Sequence, residues 1–218
     1  MSLFACFTQL YLFGFLVTAE TCLLSVMSYD RYLAICKPLQ YHFHMNNKAC
    51  ISLAAGSWIS GCFSVSVVVI WLSQLTYCGF NGIDHFYCDF VPLSKLACSD
   101  TYSVEILIFA LSVVVLMLPF TFIVISYIHI SRVVLRMCSG EGRQRAFSTC
   151  ATHLIVVTLF YSTIGFTYLQ PRSNRSADQE KRASVFYALV SPMLNPIIYS
   201  LRNKDVKGAL AKVLRKFR

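Results

Sequence analysis

The chain has 218 residues, of which 56% are hydrophobic, 14% aromatic and only 13% charged. Average soluble domains carry about 25% charged residues, so this composition indicates a membrane protein and speaks against a soluble domain. The net charge of +9 predicts nucleic-acid binding only where basic residues share one face of a folded domain. Here they lie in the stretches between apolar segments, so no nucleic-acid partner is expected.

Five apolar segments are near or above the length of about 20 residues that a membrane-crossing helix needs. They cover residues 3–27, 51–75, 106–130, 146–169 and 183–201. The pattern predicts an all-α membrane protein, with five transmembrane helices bundled in a single domain over residues 1–218.

The segment that follows the last span is short and basic. Over residues 204–217 its apolar side chains lie largely on one side at helical spacing. This spacing predicts an amphipathic surface helix on an anionic inner leaflet, with membrane lipid as its partner. A solvated charged tail is the alternative.

An odd number of spans places the two chain ends on opposite sides of the membrane. Fourteen of the 19 Lys and Arg residues follow the first, third and fifth spans, and five lie in the other two loops. Because Lys and Arg accumulate in cytoplasmic loops, the N-terminus is expected to be extracellular and the C-terminus cytoplasmic.

Four cysteines fall on the predicted outer side. Cys6 lies at the outer end of the first span, and Cys78, Cys88 and Cys98 lie in the loop of residues 76–101. Four cysteines allow three disulfide pairings, and the sequence does not choose among them. A zinc site with His85 competes with disulfides, but structural zinc motifs usually contain close Cys pairs. No metal or other cofactor is therefore expected.

Three motifs carry a family resemblance. Residues 27–36 read MSYDRYLAIC, residues 145–154 read RAFSTCATHL, and residues 192–204 read PMLNPIIYSLRNK. Together they resemble the third, sixth and seventh helices of olfactory receptors, a branch of the rhodopsin-like G-protein-coupled receptors. The resemblance covers nearly all of the chain and matches helices three to seven of the receptor fold. The first two helices of that fold have no counterpart here.

The resemblance implies an odorant-binding receptor of the plasma membrane that activates a heterotrimeric G protein of the stimulatory olfactory type. It also implies disulfides between Cys6 and Cys88 and between Cys78 and Cys98. No hydrolase, metalloprotease or phosphate-loop motif is found in the sequence, so no enzymatic activity is expected. The alternative is a truncated, non-signalling receptor fragment that is retained in the endoplasmic reticulum.

The resemblance also implies a ligand pocket, lined in part by residues that share one helical face of the first span. Ordinary helix packing is the alternative for each residue. As a set they describe an apolar cavity with a few hydroxyl groups, which suits a small, volatile, mostly apolar odorant. The predicted pocket residues are Leu10, Phe13, Gly14, Val17 and Thr18, then Leu111, Ser112 and Val115, and then Tyr161, Ile164, Gly165 and Tyr168.

A switch for G-protein coupling is implied at the cytoplasmic ends of the spans. The resemblance implies that Asp30 restrains Arg31 at rest and that ligand binding releases the arginine, which then helps to form a docking cleft for a G-protein helix. Glu20 is the one charged residue within residues 3–27, and it is a candidate polar or cation site. The predicted switch residues are Asp30, Arg31, Tyr32, Tyr127, Asn195, Pro196 and Tyr199.

Overall fold

A computed structural model describes residues 2–78, 88, 93, 96–137, 140–168, 208 and 212, with positions 145 and 165–168 described by their backbone. Helix α1 covers Leu3–Cys36, and a 3₁₀ turn at Pro38–Gln40 leads into the single turn α2, Tyr41–His44. Helix α3 covers Asn47–Ser73, α4 covers Tyr102–Leu135, and α5 covers Gly140–Tyr168. In the described ranges the only extended pairing is one antiparallel bridge between Tyr77 and Ala97.

The predicted all-α membrane fold is confirmed. Four helices of the described part are long and apolar enough to cross a membrane by length and composition, namely α1, α3, α4 and residues Gly140–Ile164 of α5. The predicted span of residues 183–201 lies outside the described residues. Within the predicted surface helix, the described residues Gly208 and Lys212 are helical.

All four long helices extend beyond their predicted spans at one end or at both. Both α1 and α4 have 34 residues, about 50 Å at 1.5 Å per residue, whereas the hydrocarbon layer is about 30 Å thick. Hydropathy marks only the part of a helix that lies in lipid, so the polar ends were not predicted. Helix α1 ends at Cys36 because Pro38 disfavours helical backbone at the residue before it.

Polar side chains cap the starts of the first three long helices. The backbone N–H of Ala5 donates to Ser2 Oγ at 3.3 Å, and that of Ala49 donates to Asn46 Oδ1 at 2.9 Å. At the start of α4 the N–H of Tyr102 donates to the Asp100 carboxylate at 3.0 Å. These bonds satisfy donors that have no partner within the helix.

Contacts between Cα atoms divide the chain into two compact units, Met1–Arg143 and Gln144–Arg218. In the first unit α1 packs extensively against both α3 and α4, which contact each other only slightly. In the second unit the buried side chains of α5 recur at helical spacing, as at Ala146, Cys150 and His153. The single domain over residues 1–218 stays a prediction.

Small residues bring α1 and α3 close together. A Cβ atom added to Gly61 would lie 2.8 Å from the Phe15 carbonyl oxygen, and the Phe15 and Trp58 rings pack beside it with centroids 5.3 Å apart. Across the same seam Tyr11 Oη lies 3.1 Å from Cys62 Sγ. Close backbone approach and polar contacts are the means by which helices associate in lipid.

We therefore expect Gly61→Val to destabilise the first unit by about 1–3 kcal/mol, the cost typical of overpacking a tight core. The measurement is thermal unfolding of the purified chain in detergent. Gly56→Val is the matched control on the same helix, because no atom lies within 4 Å of a Cβ added there. Equal melting temperatures for the two variants would contradict the tight α1–α3 seam.

Candidate functional site

The motif residues Asp30 and Arg31 lie in the last two turns of α1. Arg31 Nε is 3.7 Å from Asp30 Oδ2, and the side chains of Arg31 and Asp30 are 35% and 21% exposed. The two charges are thus paired but half in contact with solvent, where an ion pair stabilises weakly. Arg31 can therefore leave Asp30 for another partner at a low cost in free energy.

Tyr41, which was not among the predicted site residues, is a partner of the ion pair. Its hydroxyl donates to Asp30 Oδ1 at 2.7 Å, because the turn at Pro38–Gln40 folds α2 back against the end of α1. The hydrogen bond to Asp30 raises the pKa of the Tyr41 phenol, and burial and the Asp30 charge add to the rise. Tyr41 therefore stays protonated at neutral pH and able to donate. The one signal in the sequence is Pro38, which turns the chain.

The segment between α1 and α3 exposes two large apolar side chains, one on each side of Tyr41 along the chain. Leu39 is fully exposed and Phe43 is 79% exposed, although both are large hydrophobic residues. Basic and imidazole groups of the same loop, at Lys37, His42 and His44, are exposed as well. The loop therefore presents both large apolar groups and basic or imidazole groups at its surface.

The other predicted switch residues fall in three places. Tyr32 follows Arg31 in α1, and the centroid of its ring is 5.9 Å from that of the His129 ring of α4. Tyr127 is half-buried on α4. Asn195, Pro196 and Tyr199 lie outside the described residues.

The predicted pocket face of α1 is only partly open. Leu10 and Thr18 are buried, whereas Phe13, Gly14 and Val17 are half-buried. Leu10 belongs to an apolar cluster at the N-terminal end of α1. A Cβ added to Gly14 would lie 3.0 Å from Val65 Cγ2 of α3, so this glycine faces that helix.

The remaining predicted pocket residues lie on α4 and α5. On α4, Leu111 and Val115 are half-buried and Ser112 is exposed. In the second unit, Tyr161 is half-buried and Ile164 is buried. At Gly165 and Tyr168 the described backbone is helical.

Two disulfides join the loop of residues 76–101 to itself and to α1. Cys6 is bonded to Cys88 with Cα atoms 5.2 Å apart, and Cys78 is bonded to Cys98 with Cα atoms 5.9 Å apart. Both separations lie within the usual range for a disulfide, and the pairing is the one that the resemblance implies.

A polar contact supports the loop at the same point. The N–H of Cys88 donates to Gln9 Oε1 at 3.2 Å, so a side chain of α1 holds the loop backbone beside the Cys6–Cys88 bond. Gln9 was not among the predicted site residues, although a polar residue in an apolar span is itself a signal.

No cluster of three or more His, Cys, Asp or Glu side chains that could hold a metal ion occurs within the described ranges. His85, the candidate zinc ligand, lies outside those ranges. Glu20 is half-buried in the middle of α1, where a carboxylate in a membrane span points to a function. Its role as a polar or cation site stays a prediction.

The comparisons with known proteins agree with the motifs. The family model described as "Olfactory receptor" matches residues 1–216. Human olfactory receptor 10A7 is 47% identical over 98% of this chain and 68% of its own length, and human olfactory receptor 2G6 is 49% identical over the same shares. Mouse olfactory receptor 5AR1 is 48% identical over 99% of this chain and 70% of its own length. The chain therefore belongs to the olfactory receptor family, a family of multi-pass membrane receptors.

Proposed function

We propose that this chain binds a small odorant at the plasma membrane and, in response, activates a heterotrimeric G protein of the stimulatory olfactory type. The observation that carries the proposal is the Asp30–Arg31–Tyr41 cluster at the end of α1. It holds a releasable cation, and its member Tyr41 is flanked two positions away along the chain by the exposed apolar residues Leu39 and Phe43. Membership of the family supports odorant sensing and G-protein coupling in general.

The ligand in this proposal is volatile and mostly apolar. Phe13, Val17, Leu111 and Val115 offer half-buried apolar surface on α1 and α4. Thr18 and Ser112 add hydroxyl groups, and Tyr161 and Ile164 of α5 are candidate residues from the second unit. A pocket that is largely apolar with a few polar groups selects ligands by shape and by one or two hydrogen bonds.

The switch operates by exchange of partners at Arg31. At rest Asp30 holds the guanidinium, while Tyr41 holds Asp30 in place. Ligand binding favours a state in which α5, whose apolar span follows Arg145, moves outward, and Arg31 then turns towards the G protein with Tyr127 and Tyr199. Asn195 and Pro196 supply the point at which the last helix changes its packing. Ligand can drive this change only by binding the active state more tightly.

Leu39 and Phe43 are the apolar part of the proposed docking surface. A helix of the G protein that enters the cleft buries such side chains, and each large apolar side chain contributes about 1.5–3 kcal/mol when it is fully buried. The basic groups around them, such as Lys37, favour a partner segment with acidic residues.

The proposal includes the orientation of the chain in the membrane. The N-terminus is extracellular and the C-terminus is cytoplasmic, as the Lys and Arg distribution predicts. The disulfides at Cys88 and Cys98 support this orientation, because such bonds persist on the oxidising side of the membrane.

The test is expression of the full chain with an N-terminal tag in an olfactory-type host cell, followed by an odorant panel. We expect surface staining of intact cells and a rise in cyclic AMP with a subset of odorants. The response is expected to vanish in cells that lack the stimulatory Gα subunit and to return when that subunit is supplied.

Two controls define the outcome. Leu39→Ala tests the docking surface and is expected to weaken the cyclic AMP response without changing surface staining. A chain that stays in the endoplasmic reticulum and answers no odorant would contradict the proposal and favour the non-signalling alternative.

A further inference from the structure

Four aromatic side chains connect α1 to α4 near the ends that carry Arg31 and Arg132. The Tyr29 and Tyr32 rings stack with centroids 6.4 Å apart on α1. Tyr29 also lies 6.2 Å from the Phe122 ring of α4. Tyr32 meets the His129 ring of α4 edge to face at 5.9 Å. We call these four side chains the aromatic clasp.

The spacing makes the clasp a contact at two levels. Tyr29 and Tyr32 are three residues apart on α1, and Phe122 and His129 are seven residues apart on α4, so each pair shares one face of its helix. The pairs follow the same order along both helices, which fits two helices that run in the same direction. Sliding or tilting α4 against α1 therefore disturbs both ring contacts together.

The clasp lies next to the switch residues on both helices. Tyr32 follows Arg31 directly, and His129 comes two positions after Tyr127. The structure that contains the closed clasp also contains Arg31 beside Asp30, with 3.7 Å between Nε and Oδ2. The closed clasp thus coexists with the paired arginine, which is the resting arrangement of the proposed switch.

We infer that the aromatic clasp holds the inner ends of α1 and α4 together and thereby stabilises the resting state of the receptor. Tyr29, Phe122 and His129 are positioning residues that act through Arg31 and Tyr127. The inference rests on the proposed G-protein function. One aromatic contact shifts an equilibrium by roughly two- to twelvefold, so removing one of the two contacts between α1 and α4 raises the active population by that factor.

Ordinary packing against lipid is the competing account. Phe122 is 44% exposed and His129 is exposed, so an aliphatic residue fills either position without loss of burial. The clasp, in contrast, requires a ring. Replacing His129 by Leu or by Phe separates the two accounts, because both replacements are apolar and only Phe keeps an edge-to-face contact with Tyr32.

The experiment measures cyclic AMP without odorant for the full chain at matched surface amounts. His129→Leu is expected to raise this basal signal roughly two- to twelvefold, and His129→Phe to leave it near the wild-type level. Tyr29→Leu and Phe122→Leu each remove the same contact, the one between Tyr29 and Phe122. The basal signal of the double variant is therefore expected to be close to that of either single variant. Phe109→Leu, a similar change at an exposed position of α4, is the control and is expected to leave the basal signal unchanged.

A second measurement does not depend on the G protein. Hydrogen exchange of the purified chain is expected to speed up in residues 130–136 in His129→Leu and not in His129→Phe. A responsive receptor whose basal signal is the same in all variants, or is raised equally by Leu and Phe, overturns the inference. A chain without any odorant response whose exchange still follows the ring overturns the proposed function and retains the clasp as the α1–α4 contact.

Discussion

Arg31→Ala is expected to lower odorant-evoked cyclic AMP by about thirtyfold or more while the amount of receptor at the cell surface stays the same. In the proposed mechanism this guanidinium is the cation that meets the G protein. Removing an arginine from the centre of an interface typically costs about 2 kcal/mol or more, which corresponds to that factor. The ion pair itself is loose and half-exposed, so little folding free energy is lost with it. The measurement is a dose–response curve at matched surface staining.

Two substitutions near Arg31 test whether Asp30 and Tyr41 restrain this residue at rest. Asp30→Asn removes the charge that holds Arg31, and Tyr41→Phe removes the 2.7 Å hydrogen bond to Asp30 while keeping the ring. Both are expected to raise basal cyclic AMP. Loss of one hydrogen bond, worth about 1 kcal/mol, predicts roughly a fivefold rise for Tyr41→Phe.

Lys48→Ala is the matched control for charge at the same end of the unit, because Lys48 is exposed and lies outside the Asp30–Arg31–Tyr41 cluster. It is expected to change neither basal nor evoked signal by much. A full odorant response in Arg31→Ala would contradict the docking role of this residue. Lowered basal signal in Asp30→Asn would contradict the restraint.

Cys6→Ser is expected to cost about 2–5 kcal/mol of stability, the usual loss when a structural disulfide is removed. The Cys6–Cys88 bond closes a separation of 82 residues, and both sulfur-bearing residues are fully buried in a cluster with Leu10, Leu72 and Val104. For a chain of this size each kcal/mol lowers the melting temperature by about 2–4 °C. The expected fall is therefore roughly 5–20 °C, together with a fall in surface staining.

The measurement is tryptophan fluorescence during thermal unfolding of the purified chain. Cys50→Ser is the control, since Cys50 is a free and exposed cysteine for which a change within about 0.5 kcal/mol is expected. If Cys6→Ser and Cys50→Ser have the same melting temperature, the disulfide does not carry the stability of the apolar cluster at the N-terminal end of α1.

The bounds of the helices show how much of each helix hydropathy predicts. The apolar run of residues 3–27 predicts the first span, but α1 continues to Cys36 and α4 begins at Tyr102. Apolar side chains report contact with lipid, whereas a helix continues wherever its backbone hydrogen bonds are satisfied. The ends were therefore set by caps such as Ser2 and Asn46 and by Pro38.

The candidate site divides in the same way. Asp30 and Arg31 were predictable because two adjacent charges at the end of an apolar run, within a specific motif, can be recognised from the sequence alone. Tyr41 and Gln9 were not, because their partners Asp30 and Cys88 are 11 and 79 residues away along the chain. The local signals, a polar residue in an apolar span at Gln9 and the turn at Pro38 before Tyr41, do not identify the distant partner of either side chain.

The sequence by itself determined the membrane class, the apolar spans, the family motifs and the residue types available for a switch, since these depend on composition and on local spacing. Only the tertiary structure decided that Gly61 meets the Phe15 backbone, that Leu39 is fully exposed and that Tyr32 meets His129. Those facts depend on how the helices of the first unit pack and on how a short loop turns back. Packing joins residues that are distant in sequence, so its outcome is a property of the folded chain and not of any one segment.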